Sequence, residues 1–207
     1  MPKTNSEIKT LFLDIGGVLL TNGWDHESRR LASQKFNLDL SEMEDRHDLT
    51  FSTYELGKLT LQEYLHRIIF YEKRSYTEKE FREFMFARSK AFPEMIELVV
   101  GLKKKYGLKI AVVSNEGREL NAYRIQKFQL AGFVDFFISS CFVHFRKPDI
   151  DIFKMALDIS QVNASEVVYI EDQPMFVSIA ERLGIKSIHH LNYETTATHL
   201  KTFGLIK

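Results

Sequence analysis

An aspartate ends the apolar run Leu11-Phe12-Leu13, and Ile15-Gly16-Gly17 follows it directly. Three apolar residues read as a buried strand, and two glycines let the backbone turn tightly and come close to a bound ion or phosphate. A carboxylate at the end of a buried strand is poorly placed for stability, because charge near a core must be paired or hydrated. It is well placed for chemistry, since open α/β sheets bind ligands beyond the carboxyl ends of their strands. Three more groups share this placement. Ser114-Asn115 follows Ala111-Val112-Val113, Lys147 lies in Phe145-Arg146-Lys147-Pro148-Asp149, and Glu171-Asp172 follows Val167-Val168-Tyr169-Ile170. Together these side chains suit phosphoryl transfer. Asp14 can act as a nucleophile. A hydroxyl with a neighbouring amide can hold phosphate oxygens, and Lys147 can neutralise charge that builds up on the transferring group. The acidic pair supplies oxygen ligands for Mg2+, which lets an anionic Asp14 approach an anionic phosphate.

Composition narrows the setting. The 207 residues are 44% hydrophobic, enough for one substantial core or a core with a smaller appended domain. Lys+Arg and Asp+Glu both number 28, so the formal net charge is zero and neither a nucleic-acid footprint nor attraction to a membrane surface is expected. The single cysteine, Cys141, excludes an intrachain disulfide framework and fits a reducing compartment as a small buried apolar residue. The polar start lacks a signal-peptide pattern, and no run approaches the roughly 18 apolar residues of a membrane span. A cytoplasmic protein is the expectation.

Apolar runs at residues 10–14, 109–114, 136–140, 167–170 and 186–189 read as buried strands. Helical patterns at 119–130, 151–160 and 175–183 separate them from the second onward, and this alternation predicts βαβ units in a parallel sheet. Gly107, Gly132 and Gly184 fall where left-handed helix caps are expected. Residues 22–92 break the pattern. They contain no strand signal and read as amphipathic helices at 25–36, 40–48, 61–71 and 78–88, with Leu61, Tyr64, Leu65 and Ile68 at helical spacing and a Thr60–Glu63 capping box. The fold class is therefore α/β, a Rossmann-like parallel sheet core with helices on both faces plus an inserted all-helical cap domain. The core takes residues 1–20 and 93–207, and the cap takes 21–92.

This order of groups resembles the haloacid dehalogenase superfamily of aspartate-nucleophile hydrolases, over nearly the whole chain. The resemblance rests on Leu13-Asp14-Ile15-Gly16-Gly17-Val18-Leu19, Val113-Ser114-Asn115, Arg146-Lys147-Pro148-Asp149 with Ile152-Phe153, and Ile170-Glu171-Asp172. It implies Asp14 as nucleophile and Mg2+ ligand, the Gly16 backbone carbonyl as a second ligand, and Asp172 with Glu171 as the remaining protein ligands. It also implies Ser114 and Asn115 as the phosphate grip, Lys147 as the stabilising cation, and hydrolysis of a small phosphorylated metabolite through a phospho-aspartate.

The chain departs from that pattern at Gly16, where most family phosphatases carry a second aspartate as general acid and base. Such assistance is worth about 10²–10⁴-fold. An Asp-x-Gly branch of phosphatase-like members does exist. A leaving group of low pKa would need less protonation, and His26, His47 and His144 are the candidate stand-ins from the cap and loops. Each also reads as an ordinary surface or half-buried histidine. Phe176 shares a helical face with Ile179, Ala180 and Leu183 and reads as core. His189-His190 have no partner at metal-ligand spacing, and residues 72–82 read as a solvated charged face. Arg46, His47, Phe51 and Tyr54 fit a lid, a cap core or a surface equally. Singly, Asp14 reads as a turn aspartate and Lys147 as a solvated loop lysine, but four such groups at one sheet edge favour the functional reading. The alternatives are a non-catalytic relative that binds through its cap, which Gly16 favours, and a metal-independent 2-haloacid dehalogenase, which Glu171-Asp172 disfavours. Substrate identity and oligomeric state stay open.

Overall fold

The structure is a computed structural model that describes residues 7–206; residues 1–6 and 207, assigned above to the core, lie outside the described residues. The elements run in the order β1 (Thr10–Leu13), α1 (His26–Phe36), α2 (Leu40–Glu55), α3 (Leu61–Ile68), α4 (Glu78–Phe86), α5 (Pro93–Tyr106), β2 (Lys109–Ser114), α6 (Arg118–Lys127), β3 (Phe136–Ser139), α7 (Ser140–Val143), α8 (Ile150–Ser160), β4 (Val167–Glu171), α9 (Pro174–Arg182), β5 (Lys186–His189) and α10 (Tyr193–Thr202). All five strands are parallel, in the order β3-β2-β1-β4-β5.

Alternation along each strand sends successive side chains to opposite faces. Leu11, Leu13, Val112, Val168 and Ile170 pack with Met95, Val99 and Leu102 of α5 and Leu200 of α10. Phe12, Ala111, Val113 and Tyr169 pack with Ile152, Phe153 and Ala156 of α8 and Ala180 of α9. The sheet is covered on both sides, as a parallel sheet must be. Helices α1–α4, inserted between β1 and α5, build a separate cluster around Tyr54, Tyr64, Leu65, Phe81 and Met85, to which α6 contributes Leu120. The predicted Thr60–Glu63 capping box opens α3.

The two linkers that join this helical segment to the sheet run side by side. Leu20 bridges Ala91 in antiparallel fashion. Thr21 N–H donates to Lys90 O at 2.8 Å, Thr21 Oγ1 donates to Arg88 O at 2.8 Å, and Phe92 N–H donates to Leu19 O at 2.9 Å.

The expected elements are present, with corrections. Helix α2 runs on to Glu55 rather than ending at residue 48, because Tyr54 is buried in the cluster and holds the last turns in place. Helix α6 ends at Lys127, so Gly132 is no left-handed cap; it lies in the 3₁₀ turn Leu130–Gly132, and Gln129 takes the left-handed conformation at φ 52°. Gly107 and Gly184 do take it, at 66° and 83°. No helix among the described residues is long and apolar enough to cross a membrane.

Candidate active site

Strand β1 is central, so its carboxyl end is flanked by those of β2 and β4. Asp14 lies one residue beyond β1, where its N–H still donates to Ile170 O at 3.1 Å. Its Oδ1 accepts from Ile15 N–H at 2.8 Å and lies 3.3 Å from Lys147 Nζ. The Ser114 hydroxyl also bonds this carboxylate. Burial pushes the Asp14 pKa up to about 6, against the pull of the adjacent Lys147 charge.

Lys147 is 1% exposed, and its Nζ lies 2.6 Å from Glu171 Oε2 and 3.2 Å from Tyr169 Oη. Burial works against its charge, but Asp14 and Glu171 more than compensate and raise its pKa. Its backbone is fixed by the Asn115 side chain, which donates Nδ2–H to Lys147 O and accepts from Lys147 N–H, both at 2.8 Å. Phe176 is no core residue, contrary to the sequence expectation: it is half-buried, stays out of the apolar cluster that takes Ile179, Ala180 and Leu183, and lays its ring 5.1 Å from Lys147 Nζ.

Asp14, Glu171 and Asp172 each place a carboxylate oxygen within 4.8 Å of the others. Glu171 is the most committed of the three. Oε2 receives Lys147 and the Tyr169 hydroxyl, and Oε1 accepts from Gln173 N–H at 3.0 Å. Asp172 Oδ2 accepts from Asn22 Nδ2 and Gln173 Nε2, both at 3.1 Å. Gly17 has φ 70°, and a Cβ there would fall 2.3 Å from Asp172 Oδ2, so the glycine lets that carboxylate lie against the Asp14 turn. This all-oxygen set suits a hard divalent cation.

A cavity of about 250 Å³ opens on Asp14 and Gly16. The linker residues Asn22, Gly23, Trp24 and Asp25 form one wall, and Phe51, Tyr54 and Glu55 of α2 form another. Asn115, Glu116 and Gly117 approach from the β2–α6 loop, with Leu120 and Arg124 of α6 behind them. Ser114, Lys147 and Glu171 are buried around Asp14 without lining this space.

Residues 34–190 match the family described as haloacid dehalogenase-like hydrolases. The chain belongs to that family. Among solved structures it is similar to a haloacid dehalogenase family enzyme from Bacteroides thetaiotaomicron, with a TM-score of 0.77 and 22% identity over 88% of this chain and 93% of that one. That enzyme is also known in complex with magnesium and inorganic phosphate, a structure that this chain matches at a TM-score of 0.72 and 20% identity, over 87% and 93% of the two chains. The L-2-haloacid dehalogenase of Xanthobacter autotrophicus, with chloropropionic acid covalently bound, matches at 0.61 and 15% identity over 97% and 85%. A curated relative is bifunctional epoxide hydrolase 2 of Sus scrofa, 23% identical over 94% of this chain. The chain spans 38% of that relative's length.

None of the three stand-in histidines of this haloacid dehalogenase-like hydrolase lines the cavity. His26 is exposed and bonds Glu44, and His144 bonds the Leu56 carbonyl. His47 is buried beside Tyr64, and its pKa falls to about 3, so it carries no acidic imidazolium proton at neutral pH. His189 and His190 bond the Asp172 carbonyl and the Thr196 hydroxyl, as structural side chains do.

Besides Asp14 and Asp25, whose side chain caps α1, the cavity is lined by two carboxyl groups that the sequence pattern does not single out, those of Glu55 and Glu116. Glu55 pairs with Arg146 at 2.6 Å, and burial raises its pKa despite that partner. Glu116 pairs with Arg124 at 2.9 Å, and burial pushes its pKa to about 7. Arg124 is 2% exposed; it also donates Nε–H to Ser89 Oγ and an Nη2–H to Thr21 O, so one guanidinium grips both linkers and the β2–α6 loop. The one available signal was an acidic residue directly after Ser114-Asn115 with a glycine behind it.

Proposed function

We propose that this chain is a magnesium-dependent phosphohydrolase that acts on a small phosphorylated metabolite through an aspartyl-phosphate on Asp14. The observation that carries the reading is the pairing of one buried carboxylate with one buried ammonium, Asp14 and Lys147, beside a second acidic ligand at Asp172. A cation bound there neutralises charge between the Asp14 carboxylate and the incoming phosphate. Asp14, Asp172 and the Gly16 carbonyl are the groups to hold it. Glu171 then serves to hold Lys147, since both of its oxygens already accept hydrogen bonds. The phosphate is gripped by the Ser114 hydroxyl and by the backbone at Asn115, whose side chain is taken up by the Lys147 backbone. Lys147 stabilises the charge of the transferring group.

In this reading residues 21–92 are a helical cap over a core formed by 1–20 and 93–207, and its Phe51, Tyr54 and Glu55 help to choose the substrate. The fully buried free thiol of Cys141 supports a reducing, cytoplasmic setting.

Hydrolysis of an aryl phosphate, with and without magnesium, tests the reading by comparing the natural chain with Asp14→Asn. Metal-dependent turnover that falls at least about 10³-fold in the variant is expected. Turnover untouched by Asp14→Asn removes the aspartyl-phosphate step. Halide release from a 2-haloacid without metal would place the chain with the dehalogenases, and ligand binding without turnover would make it a binding protein.

A further inference from the structure

We propose that Glu116 is the general acid and base that Gly16 does not supply, an inference that rests on the phosphohydrolase reading. Glu116 lies two residues after Ser114 on the loop that grips the phosphate. That loop is itself anchored, because Glu116 N–H donates to Ser140 Oγ at 3.0 Å. Glu116 is 6% exposed and lines the cavity that opens on Asp14. Arg124 holds Oε2 at 2.9 Å, and Oε1 accepts no hydrogen bond from any described residue, which leaves it for a leaving-group oxygen or a water.

The charged and titratable groups around it are Arg124 of α6, Asp14 beyond β1, and Glu55 and Tyr54 of α2, with Cys141 of α7 nearby. Two of these are carboxylates whose charge opposes that of Glu116, and burial works in the same direction. Glu116 therefore keeps its proton near neutral pH, where a general acid is most effective. Arg124 offers a fixed positive charge to the carboxylate once the proton has gone. Glu55 is placed differently: it comes from the helical segment rather than the phosphate-gripping loop, and Arg146 holds it.

The steps balance. Asp14 forms a bond to phosphorus, the bond from phosphorus to the leaving oxygen breaks, and that oxygen takes the Glu116 proton and departs as an alcohol. A water then attacks phosphorus and gives its proton to the Glu116 carboxylate. The bond from Asp14 to phosphorus breaks, phosphate leaves, and both side chains are restored.

The test compares two substrates of similar shape with the full chain and magnesium. Dinitrophenyl phosphate expels its leaving group without a proton, whereas phenyl phosphate needs one. Glu116→Gln is expected to lower kcat/KM for phenyl phosphate by about 10²-fold or more, with a fall at least about ten times smaller for dinitrophenyl phosphate. Glu116→Asp keeps the carboxyl but draws it back by one methylene, and is expected to show a smaller loss with the same selectivity. Equal losses on both substrates in the folded variants, or no loss on either, overturn the proposal. So does a selective loss that follows Glu55→Gln instead. Asp14→Asn separates the two levels. If it abolishes both activities while Glu116→Gln is unselective, the phosphohydrolase reading stands and only the acid is wrong. If it changes neither activity, both fall together.

Discussion

His47 sets up a pH dependence that is independent of the catalytic groups. Trp24 Nε1–H donates to the Tyr64 hydroxyl oxygen at 2.9 Å, and a Trp nitrogen can only donate. The Tyr64 hydroxyl can then give its own proton to His47 Nδ1, 2.6 Å away, which fixes a neutral imidazole with its proton on Nε2. Burial, reinforced by the positive charge of Arg29, lowers the His47 pKa from 6.5 to about 3. The unfolded chain therefore binds a proton below about pH 6.5 that the folded chain refuses, and stability drains away as pH falls through that window. From pH 7 to pH 5 the linkage amounts to about 2 kcal/mol. Asp14 and Glu116 shift in the opposite sense, since a raised carboxyl pKa favours the folded state as pH falls. The comparison must therefore be between the natural chain and His47→Gln, which share those groups. Urea unfolding at the two pH values should show a loss about 2 kcal/mol smaller in the variant. Equal losses would refute both the neutral imidazole and the hydrogen-bond chain that fixes it.

Other perturbations have equally definite outcomes. Lys147→Met leaves Glu171 buried without its cation and should cost about 3–5 kcal/mol in urea unfolding, with loss of aryl phosphate turnover; adding Glu171→Gln should return most of the stability and none of the turnover. Gly16→Asp is tolerated by the backbone, whose φ is not left-handed, and its Cβ meets only the end of the Asn22 side chain at 2.6 Å. Placed in Glu116→Gln, it should recover phenyl phosphate turnover at least about tenfold. Phe81→Ala removes a fully buried ring that packs edge-on against Trp24 at 5.7 Å and tilted against Phe36 at 4.9 Å, and should cost about 3–5 kcal/mol by denaturant unfolding.

The sheet was legible because β-branched and aromatic runs such as Val167-Val168-Tyr169-Ile170 admit few other readings, and Asp14, Ser114, Glu171 and Asp172 end or directly follow such runs, whereas Lys147 comes from the loop after α7. What the structure adds is that these groups lie together and how they pair, with Lys147 set between Asp14 and Glu171. Glu171 and Asp172 are adjacent in sequence, yet one is consumed by Lys147 and Gln173 while the other lies against Gly17. That division depends on which way two neighbouring side chains leave the end of β4. Helix α2 outruns its sequence pattern, since Thr50 and Thr53 are weak helix formers and burial of Tyr54 outweighs that weakness. Glu55, Glu116 and Arg124 do not stand out in the sequence, since a charged residue on an amphipathic helix or loop reads as solvated. Only the packing of α2 against the β2–α6 loop turns them inward.

The Arg124 grip limits how the helical segment can be exchanged. Residues 21–92 leave and rejoin the sheet as a paired ribbon, so a graft needs to match only one strand spacing at its base, about 5 Å. Thr21 meets the guanidinium through its carbonyl, which any residue supplies, whereas Ser89 uses its hydroxyl and must be kept or imitated. Position 23 is stricter still. A Cβ on Gly23 would fall 1.8 Å from Arg124 Nη2, so every transplanted segment has to enter through a glycine or displace the arginine.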